Sequence, residues 1–263
     1  MAVAAAVVIL AGVGVGLIAT SGAGNGTSSS PAAQRLVRSA LRSTIAGGSF
    51  HYVSRFTSRG STQTIVGDAG LSSGKQVITI GPDTFTVLVV GTACYFQGNA
   101  RQLVEQLGLT PSTASTYAGQ WISLAPGDAP YESVYVAVTT HSALNSNIEF
   151  APHQESGASR RSGYRVIGIT GPMTNVRVSG QTQQAKGTAS LYVTSSSPHL
   201  PVEYTERGKI ANVTSKLDMT FSNWGELVAE SAPQTAVGYA SLSLGNATTP
   251  TTGPPVLTRF PRG

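Results

Sequence analysis

The sequence predicts an α+β fold built on a curved antiparallel β-sheet, with helices covering one face. Three observations carry that expectation. The chain runs helix, strands, helices, strands, and segregated runs of this kind belong to antiparallel sheets, not to the alternating parallel type. The strand segments alternate apolar and polar residues and are separated by turn residues. The 263 residues are 40% hydrophobic and 11% charged, enough apolar material for one sizeable core and too few charges for a coiled coil or helical array.

Residues Ala2 to Ala19 form an uncharged apolar run, so residues 1–19 read as a signal peptide or a membrane anchor. No Lys or Arg precedes the run while Arg35, Arg38 and Arg42 follow it, so the positive-inside rule gives no support to an N-inside orientation. Gly12, Gly14, Gly16 and Ala19 mimic a dinucleotide-binding turn. A Gly/Ser stretch follows where a helix is needed, and the first acidic residue is Asp68, so no cofactor is expected. Residues 20–30 have the composition of a flexible linker.

Ser30 and Pro31 then open a helix that Gly47-Gly48 close. Val37, Ala40, Leu41 and Thr44 share one face of it, and Arg35, Arg38 and Arg42 line the other, where they can meet a membrane surface. From Ser49 to Gln97 the period changes to two, over SFHYVSRFT, STQTIVGDAG, GKQVITIG, DTFTVLVVG and TACYFQG. This predicts a five-stranded meander. Asn99 caps a further helix and Pro111 opens a second. Gln120 to Leu124 reads as a short extended piece. Asp128-Ala129-Pro130 opens a helix with Tyr131, Val134, Tyr135 and Val138 on one face. Strands are expected again over Tyr164–Thr170, Gly187–Ser195, Pro201–Arg207, Ser215–Phe221 and Glu226–Ala232. The folded domain is expected over residues 31–241 and a disordered tail over 242–263.

Little in the chain points to catalysis. Cys94 is the one cysteine, which removes any disulfide framework or Cys-based zinc site. The histidines show no metal-ligand spacing, so no metal is expected. Gly70-Leu71-Ser72-Ser73-Gly74 matches a serine-hydrolase motif in letters only, because a strand follows where a helix is required. The net charge of +5 is dispersed and forms no basic stripe, which argues against nucleic acid as a partner.

Several segments, in their order, carry a resemblance. The first helix, Ala93-Cys-Tyr-Phe-Gln-Gly98, Leu191-Tyr-Val193, His199-Leu-Pro201, Met219-Thr-Phe-Ser-Asn-Trp-Gly225 and Ser231-Ala-Pro233 resemble the LppX/LprG-type envelope lipoproteins, related in fold to the LolA and LolB lipoprotein carriers. The resemblance spans roughly residues 31 to 235. It implies a strongly curved, unclosed half-barrel with helices over its open side, and an apolar cavity that binds lipid without catalysis. The chain departs from the family in having no cysteine directly after the apolar run.

Two functions follow as expectations. The first is non-enzymatic binding or transport of a lipid or other acylated, apolar ligand outside the cytoplasm. The N-terminal segment would engage the cytoplasmic membrane or direct secretion into the cell envelope. Candidate cavity residues are Phe50, Tyr52, Ile78, Ile80, Phe85, Val87 and Tyr95 from the sheet, with Tyr131, Val134 and Val138 from the helices. The alternative is an envelope interaction or sensor ectodomain with a filled core and an exposed patch near Trp121 or Trp224.

Overall fold

The computed structural model describes residues 30–135, 138–178 and 181–244. The apolar run, residues 20–29 of the linker, and everything from residue 245 lie outside them. The first helix, α1 (Pro31–Gly47), starts as its sequence dictates. The Ser30 side chain accepts a hydrogen bond from the Ala33 amide, and Gly48 closes the helix in the left-handed region at φ 84°. Ala33, Ala40 and Thr44 are buried on one face while Arg35, Arg38 and Arg42 are exposed on the other.

The expected meander follows as β1 (Phe50–Ser58), β2 (Ser61–Ala69), β3 (Ser73–Ile80), β4 (Asp83–Val90) and β5 (Ala93–Gln97). Arg59 and Gly60 both take positive φ, 51° and 77°, the two-residue turn whose twist matches its flanking strands. Ser72 is exposed in the β2–β3 turn, so the hydrolase-like motif is a hairpin loop.

Next come α2 (Ala100–Leu107), α3 (Pro111–Tyr117), β6 (Trp121–Leu124), α4 (Tyr131–Tyr135) and α5 (Thr140–Asn147). Here the structure departs from the expected single helix through Val138. The helix α4 ends at Tyr135, and Val138 lies in the link to α5. Thr139 starts this new helix, with its amide and hydroxyl both bonded to Ser142 Oγ, at 3.1 and 2.8 Å.

The second half holds β7 (Gln154–Glu155), β8 (Ser159–Arg161), β9 (Tyr164–Pro172), β10 (Val176–Val178), β11 (Gln181–Gln183), β12 (Ala185–Thr194), β13 (Pro201–Ile210), β14 (Val213–Ser222), β15 (Val237–Gly238) and α6 (Tyr239–Leu244). The expected strand over Glu226–Ala232 is absent. Those residues form an irregular strap across the strand ends, where Ser73 Oγ donates to the Val228 carbonyl at 2.9 Å and Gly225 N–H to that of Ser49 at 3.0 Å. The helix α6 carries buried Leu242 into the core, taking the fold past the expected boundary at residue 241.

Thirteen strands form one open sheet in the order β15, β6, β5, β4, β3, β2, β1, β14, β13, β12, β9, β7, with β8 paired to β9. Every pairing is antiparallel except that of β15 with β6. Strand β1 lies at the centre, between β2 and β14, joining the two halves of the chain. The result is a curved, unclosed α+β sheet with its helices on the concave face. Two apolar clusters occupy that face. One lies over β1, β14, β13, β12 and β9 with α1 and α5, and the other over β3 to β6 with α2, α3, α4 and α6.

Candidate functional site

Strand alternation assigns each side chain to a face. Phe50, Tyr52, Ser54 and Phe56 of β1 point to the concave side. So do Ile65, Gly67 and Ala69 of β2 and Gly74, Gln76, Ile78 and Ile80 of β3, their neighbours by register. Tyr52, Gly67 and Gln76 stand side by side across three strands. Because Gly67 has no side chain, the Tyr52 ring lies over it and its hydroxyl meets the Gln76 amide, which donates to it. Tyr52 is 1% exposed, and that burial pushes its phenol well above the ordinary value.

One row further along, the small residues Ala69 and Gly74 let the α4–α5 link cross the sheet. The Thr140 hydroxyl donates to the carbonyls of Gly48 and Ala69 at 2.9 and 3.2 Å, and the Thr140 amide to Gly70 at 2.9 Å. This end of the central strands is therefore closed. The opposite end is not. Phe56, Ile65 and Ile80 are only half-buried there, although they share a face with the buried Ile78 and Ser54. The helices pack to either side, α1 on β13 and α5, α4 on β4 and β5, and α6 on β6. Ile65 touches both apolar clusters and marks the seam between them. The half-buried Phe56, Ile65 and Ile80 thus lie on β1 to β3, between the two helix groups.

The ten candidate cavity residues are divided unevenly between the two apolar clusters. Phe50 and Tyr52 belong to the first cluster, and Ile78, Phe85, Val87, Tyr131, Val134 and Val138 to the second. Ile80 is half-buried against the second. Phe85 stacks on Phe96 at 5.2 Å, and the Tyr131 hydroxyl is tied to the Thr92 carbonyl at 2.9 Å. Tyr95 is the outlier. It alternates with the buried pair Cys94 and Phe96 and pairs with Leu88, which puts it on the convex face. Arg35, Arg38 and Arg42 stand on the solvent side of α1, opposite its buried face.

Sequence reasoning missed Ile65, Phe56 and a polar group on β13. On β13, Tyr204 donates to the Glu206 carboxylate at 2.6 Å and to the Glu149 carbonyl at 3.3 Å. Burial pushes the Glu206 carboxyl up, against the pull of the Tyr204 bond, and nearby Glu149 adds to the rise. Alternation along EYTERGKI puts Glu206 on the same face as Tyr204, a signal available in the sequence.

A concavity of about 300 Å³ lies at the closed end, under the strap. It is lined by Phe50, His51, Asp68, Asn223 and residues 226–230. His51 Nδ1 and Asp68 Oδ1 are 2.7 Å apart within it. Among the described residues no His, Cys, Asp and Glu side chains group in a way that could hold a metal ion. No helix among them is long and apolar enough to cross a membrane.

No family model matches the chain, and no curated protein matches it. Solved structures do. The fold is similar to that of LprF from Mycobacterium bovis, with TM-score 0.49 and 16% identity over 78% of this chain and 99% of that one. It is also similar to the lipoprotein LppX from Mycobacterium tuberculosis, with TM-score 0.47 and 17% identity over 76% and 99%. MucB follows at TM-score 0.39 and 15% identity, over 79% and 66%. Similarities this distant describe the shape of the fold and carry no argument about ligands.

Proposed function

We propose that the chain is a non-enzymatic binder or carrier of a lipid or other apolar ligand in the cell envelope, holding acyl chain in the cleft between its two apolar clusters. The observation that supports this reading is the patch of half-buried Phe56, Ile65 and Ile80 on the concave face, toward the end of β1 to β3 that the α4–α5 link leaves open. The strands that carry them are the middle ones of the sheet, and apolar side chains left partly uncovered there offer a surface on which an apolar ligand can be buried. Each methylene removed from water contributes about 0.8 kcal/mol, so a chain of ordinary acyl length binds firmly without a polar anchor. In this reading the N-terminal apolar run is a signal or anchor that delivers the domain outside the cytoplasm, and Arg35, Arg38 and Arg42 face anionic headgroups.

The test is displacement of a fluorescent fatty-acid probe from wild-type protein and from Ile65→Trp. The indole fills the seam without adding charge. Probe affinity should fall at least tenfold while thermal stability stays within a few degrees of wild type. Equal affinity in both proteins would place the ligand elsewhere. A second reading, an interaction ectodomain, is favoured by Leu71 and Leu227, which are 69% and 91% exposed at the closed end. It predicts no probe binding to either protein.

A further inference from the structure

The β8–β9 hairpin combines three features that its neighbours do not explain. It carries Arg160, Arg161 and Arg165, three of the chain's 17 Lys and Arg, within six residues. Ser162 and Gly163 turn it tightly, both at positive φ, 47° and 84°. Arg161 fastens it to the sheet. Its guanidinium lies 4.4 Å over the Tyr192 ring, donates to Tyr192 Oη at 3.2 Å and pairs with Glu203 at 3.6 Å.

Arg160 and Arg165 are left over. They are directly opposite each other in the ladder, both exposed, and neither makes an ion pair among the described residues. Like charges directly across a strand pair destabilise it. A chain with so few charges that nonetheless sets two arginines there presents a cation pair to something outside itself. Beside them Tyr164 is 40% exposed, with its ring edge-on to Trp224 at 5.4 Å. Arginines next to an exposed Tyr, itself braced by the half-buried Trp224, form a composition that settles at the headgroup level of a bilayer. Of the acids at this end of the sheet, Glu203 is taken up by Arg161, and Asp68, Glu226 and Glu230 line the concavity under the strap beside β1 and β2.

We infer that the tip of the β8–β9 hairpin, with Arg160, Arg165 and Tyr164 backed by Trp224, docks the domain on an anionic lipid surface. The docking does not depend on the concave cleft. A carrier and an interaction ectodomain both gain from it, because it fixes which end of the sheet meets the membrane.

The experiment uses the full chain with vesicles of phosphatidylglycerol or of phosphatidylcholine, so the N-terminal apolar run contributes equally to every comparison. Hydrogen exchange of residues 159–165 should slow on phosphatidylglycerol, not on phosphatidylcholine, and the protection should vanish at high salt. Arg160→Gln with Arg165→Gln should weaken partitioning to phosphatidylglycerol about thirtyfold, at about 1 kcal/mol per cation near such a surface. Lys209→Gln, at the opposite end of the sheet, should change it little. Folding is monitored by thermal melting, where relief of the like-charge pair should leave the double variant at least as stable as wild type. Unslowed exchange on phosphatidylglycerol, or unchanged partitioning of a folded double variant, would overturn the inference. Equal protection by inorganic phosphate alone would do so too, marking a phosphate site in place of a surface.

Discussion

Gly67→Ala tests the packing at the heart of the concave face. A Cβ at position 67 would stand 2.5 Å from Cε1 and 2.7 Å from Oη of the Tyr52 ring, inside any tolerable contact. The ring has no room to retreat, being 1% exposed and packed against Phe50 at a centroid distance of 5.7 Å. Over-packing of this kind costs about 1–3 kcal/mol. Shifting the ring also disturbs its bond with Gln76, at a further cost of about 1 kcal/mol. The gain from replacing a mid-strand glycine offsets only about 0.5–1 kcal/mol. Net destabilisation should be about 2 kcal/mol, read from a lower urea midpoint at unchanged slope. In a Tyr52→Leu background the obstacle is gone, and Gly67→Ala should become neutral or slightly stabilising. A penalty that persists in that background, or none in the wild type, would refute the argument.

Two further predictions concern ionisable groups. The folded protein holds the Glu206 proton above the ordinary glutamate value of 4.5, so this residue's contribution to stability is present at acidic pH and is lost as pH rises through its raised value. Glu206→Gln keeps an acceptor for Tyr204 and should be more stable than wild type near neutral pH, with an advantage that shrinks on acidification; identical melting profiles from pH 4 to 8 would contradict this. Burial pushes the Cys94 thiol up to about 12, so it should ignore a thiol reagent at neutral pH in the native protein and react at once in denaturant. Fast native labelling would mean that the sheet opens at β5.

The meander was legible because period-two alternation and turn residues agree along Ser49–Gln97, and the same alternation could have placed Tyr95 correctly. Cys94 and Phe96 are inward, so the residue between them must face outward. Where the reading went astray, the deciding interaction was non-local or very short. The start of α5 hangs on Thr139 and Ser142, and the helical spacing of Val138 with Tyr131, Val134 and Tyr135 masks that break. The strap at Glu226–Ala232 has strand-like composition, yet its hydrogen bonds run to Ser49 and Ser73, at the ends of β1 and β3. Strands of two or three residues such as β7 and β15 offer no period to detect. The partial exposure of Phe56, Ile65 and Ile80 could not be read from sequence, because they carry the same pattern as buried neighbours. Only the position of the helices to either side leaves them partly uncovered.

The central claim is that the concave cleft holds an apolar ligand, and native mass spectrometry of the gently purified chain addresses it most directly. The account predicts a reproducible mass increment of one acylated lipid in near-stoichiometric amount, removed by solvent extraction and sharply reduced in Ile65→Trp. An apo mass that stays unchanged after incubation with lipid vesicles would contradict it.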